Sequence, residues 1–513
     1  MDALVAGALA AVEPGALVRG ALADFAMGRA ATPGDALSTQ PEVGPGVRME
    51  SDVPAESASS VEPDILVAAV GKAAWGMVRG AVEAVGPRIR EVVVVAPEDG
   101  PVGAFPSPAT FPPHRFIRGG HPLPDEGSLA GARTVLDLVR GADPAERVVF
   151  LLSGGASALL SLPPDDVSLD DLALTSRLLM QAGADIVELN TVRKHLDRVK
   201  GGGLARAAAP TSLWAGILSD VVGDRLDVIG SGPVSPDPTT FDDALEVVRT
   251  RIPDGVPPFV LEHLERGSRG EVPETPARGD PCFETVETRI IGNAGTALAG
   301  AARTARARGY EVREGSATVT GEAREVGREL GRIARRIAGA MREGDPIAED
   351  VRPESPTAGE IRRSPGAGRR GVCYLSAGET TVTVTGAGRG GPNQEAALAA
   401  ALELAAPGSG SDPVDGEAHP PVLGAEIPDM LVASVGTDGI DGPTDVAGAV
   451  ADPTTVGRAR RAGISPEAAL EHNDSYSFFR ALGDQIRTGP TGTNVMDLHV
   501  VLVRDRGGRT SGR

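Results

Sequence analysis

Lysine is nearly missing from this sequence: of its 50 basic side chains only Lys72, Lys194 and Lys200 are lysine, and the rest are arginine. Cysteine is scarcer still, with only Cys282 and Cys373, far apart in the chain. Two such thiols build neither a disulfide framework nor a metal knuckle, and they read as small buried hydrophobes. Aromatic residues are 3% of the chain, so Ala, Val and Leu must fill the core. No uninterrupted apolar run approaches the roughly 18 residues of a membrane span, and Met1-Asp2 leads into no basic leader segment. The expectation is a cytoplasmic chain with no membrane partner. Positive charge is also in deficit, 50 basic against 70 acidic side chains leaving −20. That removes the basic face by which nucleic acids are held. The same acidic excess over an aliphatic core matches proteins adapted to high salt, where screening relieves self-repulsion.

What is present begins with length. At 513 residues the chain exceeds the roughly 250–300 at which one hydrophobic core stops growing, so two domains are expected. Stretches 32–63, 344–370 and 407–428 are rich in Pro, Gly, Ser and acidic residues without apolar periodicity, and read as an insertion and two loops; 505–513 is a polar, frayed tail. Apolar runs at 64–70, 91–96, 147–152 and 213–218 alternate with Ala-rich helical segments, the pattern of a parallel sheet covered on both faces. A doubly wound α/β domain over 1–283 follows. In 284–504 a strand at 285–291 precedes a helix at 294–308. A long amphipathic helix at 322–341, strands at 372–375, 380–385 and 431–435 and a helix at 393–404 complete a second α/β domain with a mixed sheet.

Ligands of open α/β sheets sit beyond the carboxyl ends of strands, so the strand-ending loops are the places to search. Lys72 ends the first run, where a compact ammonium serves as a point charge that arginine cannot replace. Ser153-Gly154-Gly155-Ala156-Ser157 ends another, with small residues whose N–H groups can face an anion at a helix N-terminus. Arg193, Asp197 and Lys200 share a helical stripe before a triple glycine, a second anion-binding candidate. Asp220 ends the run 213–218, placed to take a hydroxyl proton or hold magnesium. Asp438, Asp441 and Asp445 lie on a Gly-rich loop suited to a hard cation. Gly386-Ala-Gly388-Arg-Gly-Gly391 matches the dinucleotide-binding spacing, which keeps an NAD(P)-dependent reading open. His121, in Gly-His-Pro-Leu-Pro-Asp125, is the most loop-like histidine and reads equally as a structural turn.

These segments, taken in order, resemble the glycerate kinase family that makes 2-phosphoglycerate, whose C-terminal half is the MOFRL domain. The resemblance rests on Gly71-Lys-Ala-Ala-Trp75, Gly120-His-Pro-Leu-Pro-Asp-Glu126, Leu152-Ser-Gly-Gly-Ala-Ser-Ala-Leu159, Asn190-Thr-Val-Arg-Lys-His-Leu196 and Leu218-Ser-Asp-Val-Val-Gly-Asp-Arg225. It continues through Gly378-Glu-Thr380, Gly390-Gly-Pro-Asn-Gln-Glu395, Val435-Gly-Thr-Asp-Gly-Ile-Asp-Gly-Pro-Thr-Asp445, Asn473-Asp-Ser-Tyr476 and Thr488-Gly-Pro-Thr-Gly-Thr-Asn494. It implies a Rossmann-like N-terminal domain facing the MOFRL domain across a cleft, with ATP and Mg2+ phosphorylating D-glycerate. It further implies Lys72 as the cleft lysine, Asp220 as a catalytic carboxylate, and Arg389 and Asn393 among the phosphate contacts. The sequence departs at Pro392, where many relatives carry arginine, which leaves Arg389 to supply that cation.

The leading expectation is therefore a glycerate 2-kinase in which Asp220 takes the C2 hydroxyl proton while Lys72 and magnesium, held by Asp438 and Asp441, neutralise the phosphoryl charge. Ser153, Gly154, Gly155, Ser157, Arg193 and Lys200 would bind substrate carboxylate or phosphates. The competing expectation is an NAD(P)-dependent hydroxypyruvate reductase, which rests on the glycine spacing and His121. A homo-oligomer stays open.

Overall fold

The computed structural model describes residues 1–26, 64–97, 111–343, 362–363, 370–406 and 430–504. The expected insertion 32–63, all of 344–370 but 362–363 and 370, the loop 407–428 and the tail 505–513 lie outside the described residues.

Six strands form the first sheet: β1 (Ile65–Val70), β2 (Ile89–Pro97), β3 (His114–Gly119), β4 (Arg147–Leu152), β5 (Ser212–Leu218) and β6 (Val286–Gly292). All neighbours run parallel in the order β3-β2-β1-β4-β5-β6, the doubly wound arrangement whose direction of winding reverses between β1 and β4. Every residue of β1 is buried, as a central strand covered on both faces requires. Val67 and Ala69 enter one core with helix Ala74–Val85, while Leu66, Ala68 and Val70 enter a second with helix Glu126–Arg140. The strand expected to open the second half is thus the sixth strand of the first sheet, paired with β5. Sequence alone could not make that assignment, because a run such as Thr-Arg-Ile-Ile carries no mark of its neighbour.

The second sheet holds β7 (Tyr310–Glu314), β8 (Arg362–Arg363), β9 (Gly371–Gly378), β10 (Met430–Gly436), β11 (Gly448–Ala451), β12 (Gln485–Ile486) and β13 (Asp497–Arg504). Its order is β12-β11-β10-β13-β9-β7-β8, with β7 and β9 parallel and the other pairs antiparallel. The mixed sheet is as expected. Residues 380–385, expected as a strand, are a loop with one bridge from Glu322 to Thr381, held by hydrogen bonds from Thr383 to Glu322 and from the Thr385 N–H to Asn473 Oδ1. Helix Ala323–Glu343 packs on helix Pro392–Leu404 over one face.

The two sheets share a hydrophobic core: Val67, Val149 and Trp214 belong to the same buried cluster as Val312, Leu375, Leu498 and Val500. The N-terminal helices Asp2–Ala11 and Pro14–Ala26 join it through Leu4, Ala8, Val18 and Leu22. By composition the stretch Asp2–Ala23 is long and apolar enough to cross a membrane, with mean hydropathy 1.3, a property that counting uninterrupted runs does not register. In the fold it is broken before Pro14 into two helices, packed on helices Ala294–Ala307 and Ala74–Val85. Both cysteines are buried and unpaired. Burial pushes each thiol up to about 12, as expected of small core residues.

Candidate active site

Between the carboxyl edge of the first sheet and the facing edge of the second lies a cleft of about 620 Å3, whose lining includes Lys72, His121, Glu379, Asp438, Asn494 and Asp497. Its floor is the switch point of the first sheet. After β1 the chain turns through Gly71 so that Lys72 N–H donates to the Gly154 carbonyl (2.9 Å) and Ala73 N–H to Ser153 Oγ (3.1 Å). Ser153 is thereby consumed in stitching two loops together. Gly154 must be glycine, because a Cβ there would fall 2.1 Å from Asp220 Oδ2. Gly155, at φ +85°, is in the left-handed region that favours glycine, its Cβ position lying 3.0 Å from the His121 ring. The Ser153–Gly155 loop therefore brings Asp220, His121 and Lys72 around one point rather than presenting an empty anion cradle.

Asp220 follows β5 and accepts from Asn494 Nδ2 at 3.1 Å. Enclosure by packed protein pushes its carboxyl up to about 6, against the pull of Lys72, while Asp438 adds repulsion. Across the cleft, Asp438 follows β10 and accepts from Lys72 Nζ at 3.1 Å. Glu379, at the end of β9, keeps solvent contact at the cleft mouth yet is crowded by the walls. Desolvation and the Asp220 and Asp438 carboxylates push it up to about 7. His121 is held below the usual imidazole range by burial and by Lys72.

Asp497, at the start of β13, is 6% exposed. Its Oδ1 accepts from Asn393 Nδ2 at 2.7 Å, and its Oδ2 has no hydrogen-bond partner among the described residues. Burial and neighbouring Glu379 hold this carboxyl well above the normal range. A carboxyl raised in this way is what crowding several acids into one desolvated site produces. Sequence reasoning did not single out Asp497, Glu379 or Asn494. The available signal was that Glu379 and Asn494 lie inside quoted motifs, while Asp497 opens a strand just beyond one.

Several expected site residues lie elsewhere. Asp441 lines the cleft, but its two oxygens accept from the backbone N–H groups of Asn393 (2.8 Å) and Gln394 (2.9 Å) and from both side-chain amides. It anchors the N-terminus of helix Pro392–Leu404 and has no free lone pair directed outward for a metal. The same contacts occupy the helix N-terminus where a dinucleotide pyrophosphate would bind after Gly386–Gly391, which weakens the glycine-spacing ground for the NAD(P) reading. Asn393 is buried between Asp441, Asp497 and Ser434 Oγ, and reaches the cleft wall. Arg389 is stacked 4.6 Å over Tyr476 and donates to the Pro443 carbonyl. It is absent from the cleft lining, where Pro392 itself stands, so Arg389 does not replace the missing arginine.

Arg193 is largely buried and donates to Ser176 Oγ. Lys200, 2% exposed, pairs with Asp197 and donates to the Leu160 carbonyl. Asp197 in turn accepts from Ser161 Oγ and Leu162 N–H. Ser157 bonds Ser231, which bonds Asn190. These four residues brace the loops beneath the cleft without lining it, because a helical stripe records which residues share a face and not what that face meets.

Comparison with known proteins agrees with this geometry. The family model "Domain of unknown function (DUF4147)" matches residues 1–265 and the MOFRL family model residues 372–497. Glycerate 2-kinase of Pyrococcus horikoshii is 37% identical over 453 residues, 88% of this chain and 90% of that protein. D-glycerate 2-kinase of Thermotoga maritima is 36% identical, covering 86% and 90%. The chain belongs to the glycerate 2-kinase family. The crystal structure of glycerate kinase from Thermotoga maritima superposes with TM-score 0.73 at 32% identity, over 98% of this chain and 97% of that one.

Proposed function

We propose that this protein is a glycerate 2-kinase, transferring the γ-phosphoryl group of ATP to the C2 hydroxyl of D-glycerate. The observation that carries the reading is the meeting of Lys72 and Asp438, from two strand ends, in the cleft lining, with Asp220 at a third strand end bonded to the lining residue Asn494 and in electrostatic reach of both. Asp220, with its carboxyl raised to about 6, accepts the C2 hydroxyl proton as the oxygen attacks phosphorus and the bond to ADP breaks. Asn494 holds the accepting carboxylate in position. Lys72, fixed by Asp438, presents a point charge to the transferring phosphoryl group.

A metal fits the same place. Asp438 and Glu379 are crowded carboxylates whose mutual repulsion a dication would relieve. Among the described residues no group of three or more His, Cys, Asp or Glu is arranged to hold an ion alone, which suits an ion that arrives on phosphates and touches one or two carboxylates. Bound there, Mg2+ would offset negative charge on the donor phosphates.

The test incubates purified protein with glycerate, ATP and Mg2+, resolves the 2- and 3-phosphoglycerate products, and separately follows NAD(P)H with hydroxypyruvate. Formation of 2-phosphoglycerate is expected. Hydroxypyruvate-dependent loss of NAD(P)H without ATP consumption would overturn the assignment.

A further inference from the structure

A second cavity, of about 600 Å3, opens on the first lobe and shares no residue with the cleft lining. Its volume falls within the roughly 300–1,000 Å3 of small-molecule sites. Five cations line it, Arg140, Lys194, Arg198, Lys200 and Arg206, against one lining carboxylate, Asp197. In a chain of net charge −20 such a hollow runs against the overall field.

The cations divide by environment. Lys194 and Lys200 are buried and neutralised, Lys194 by Asp237 at 3.1 Å and Lys200 by Asp197. The three arginines are exposed and keep capacity to spare. Arg140 makes no ion pair or hydrogen bond among the described residues. Arg198 pairs with Asp165, a side chain 91% exposed, an interaction that contributes little in water. Arg206 lies 3.6 Å from Asp280 and donates to the Glu274 carbonyl, which leaves other N–H groups of its fork free. They come from three separate places: the end of helix Glu126–Arg140, the turn after helix Ile186–His195, and helix Gly203–Ala208. Beneath them the wall is apolar, with Val272, Pro273 and Phe241, the last packed edge-on between the rings of His195 and His263.

We propose that this cavity binds a small phosphate ester as a ligand separate from the kinase substrates. The planar forks of Arg140, Arg198 and Arg206 would take the phosphate oxygens, and the carbon portion would lie over Val272 and Pro273. The assignment stands whether or not the cleft is a glycerate kinase.

The experiment titrates the full-length protein with inorganic phosphate and with glycerol phosphate by calorimetry at low ionic strength. It uses the wild type, the Arg140→Ser/Arg198→Ser/Arg206→Ser variant and, as a control for the cleft, Lys72→Ala. The expected result is binding that weakens at least tenfold in the triple variant, persists in Lys72→Ala and fades as salt is raised. Should the triple variant fail to fold, Arg140→Ser alone, whose side chain braces nothing among the described residues, is expected to weaken binding at least threefold. No binding by the wild type at millimolar ligand, binding unchanged by the arginine replacements, or binding abolished by Lys72→Ala alone would each overturn the proposal.

Discussion

The Lys72 ammonium sits 3.1 Å from Asp438 Oδ2, an ion pair between residues 366 positions apart that joins the switch point of one sheet to a strand end of the other. Both side chains are partly solvent-exposed, so the pair contributes little stability by itself. Its importance is geometric, since it fixes a positive point where Asp220, Glu379 and Asp438 would otherwise repel.

Lys72→Arg is expected to impair phosphoryl transfer nearly as much as Lys72→Ala, because a wide planar guanidinium cannot occupy the point held by a compact ammonium. Steady-state kcat/KM of both variants decides it. An active Lys72→Arg enzyme would show that only charge is required.

Asp220→Asn is expected to lower kcat by about a hundredfold or more while leaving the melting temperature equal or higher. The sign follows from the raised value near 6. A carboxyl whose folded pKa lies above its unfolded value contributes stability at low pH, and that contribution is lost as pH rises from about 4 to about 6. The neutral amide removes this penalty. Near-normal turnover would take Asp220 out of the mechanism.

The pH dependence should rise on the acid side. If Asp220 must be ionised to accept a proton, kcat/KM climbs with an apparent pKa near 6, and coupling to Glu379, near 7, broadens the limb rather than adding a separate step. A profile flat from pH 5 to 7 would contradict this.

Asp441→Ala tests a structural role against a metal one. Loss of the carboxylate strands the N–H groups of Asn393 and Gln394 in a buried setting, at a cost of about 2 kcal/mol or more. A lowered melting temperature with an unchanged Mg2+ requirement in residual activity is expected. A shifted Mg2+ requirement with intact stability would instead make Asp441 a ligand.

We further expect thermal stability to increase as KCl is raised from tenths molar to molar, because the net −20 charge is self-repulsive and screening relieves it. A melting temperature that stays flat or falls would mark an ordinary acidic protein.

The sequence exposed those parts of the molecule that are polar interruptions of apolar runs. Lys72, Asp220 and Asp438 each end a strand of continuous apolar residues, so their placement at the mouth of a sheet followed from position alone. Asp497 escaped because it opens a strand instead of ending one, and only the antiparallel pairing of β13 with β9 and β10 brings it to the same edge. Arg193 and Lys200 misled for the opposite reason. Their spacing is that of a shared helical face, and nothing local distinguishes a face that meets Ser176 and Asp197 from one that meets a substrate. Asp441 shows the same limit: a carboxylate on a Gly-rich loop caps a helix or holds a cation according to what stands opposite, here the N-terminus of helix Pro392–Leu404.

The N-terminal helices, buried against both lobes, also set an order of events during synthesis. Val5 packs with Val435 and Ala447, and the Val12 carbonyl accepts from Thr493 Oγ1 across 481 positions. At roughly 5–20 residues per second, Val5 and Val12 wait about half a minute to a minute and a half for those partners. For that interval an apolar segment of membrane-like hydropathy stands without its final cover. Chain elongation therefore builds in a period of vulnerability, one that ends only when Thr493 and β13 arrive to close over helix Asp2–Ala11.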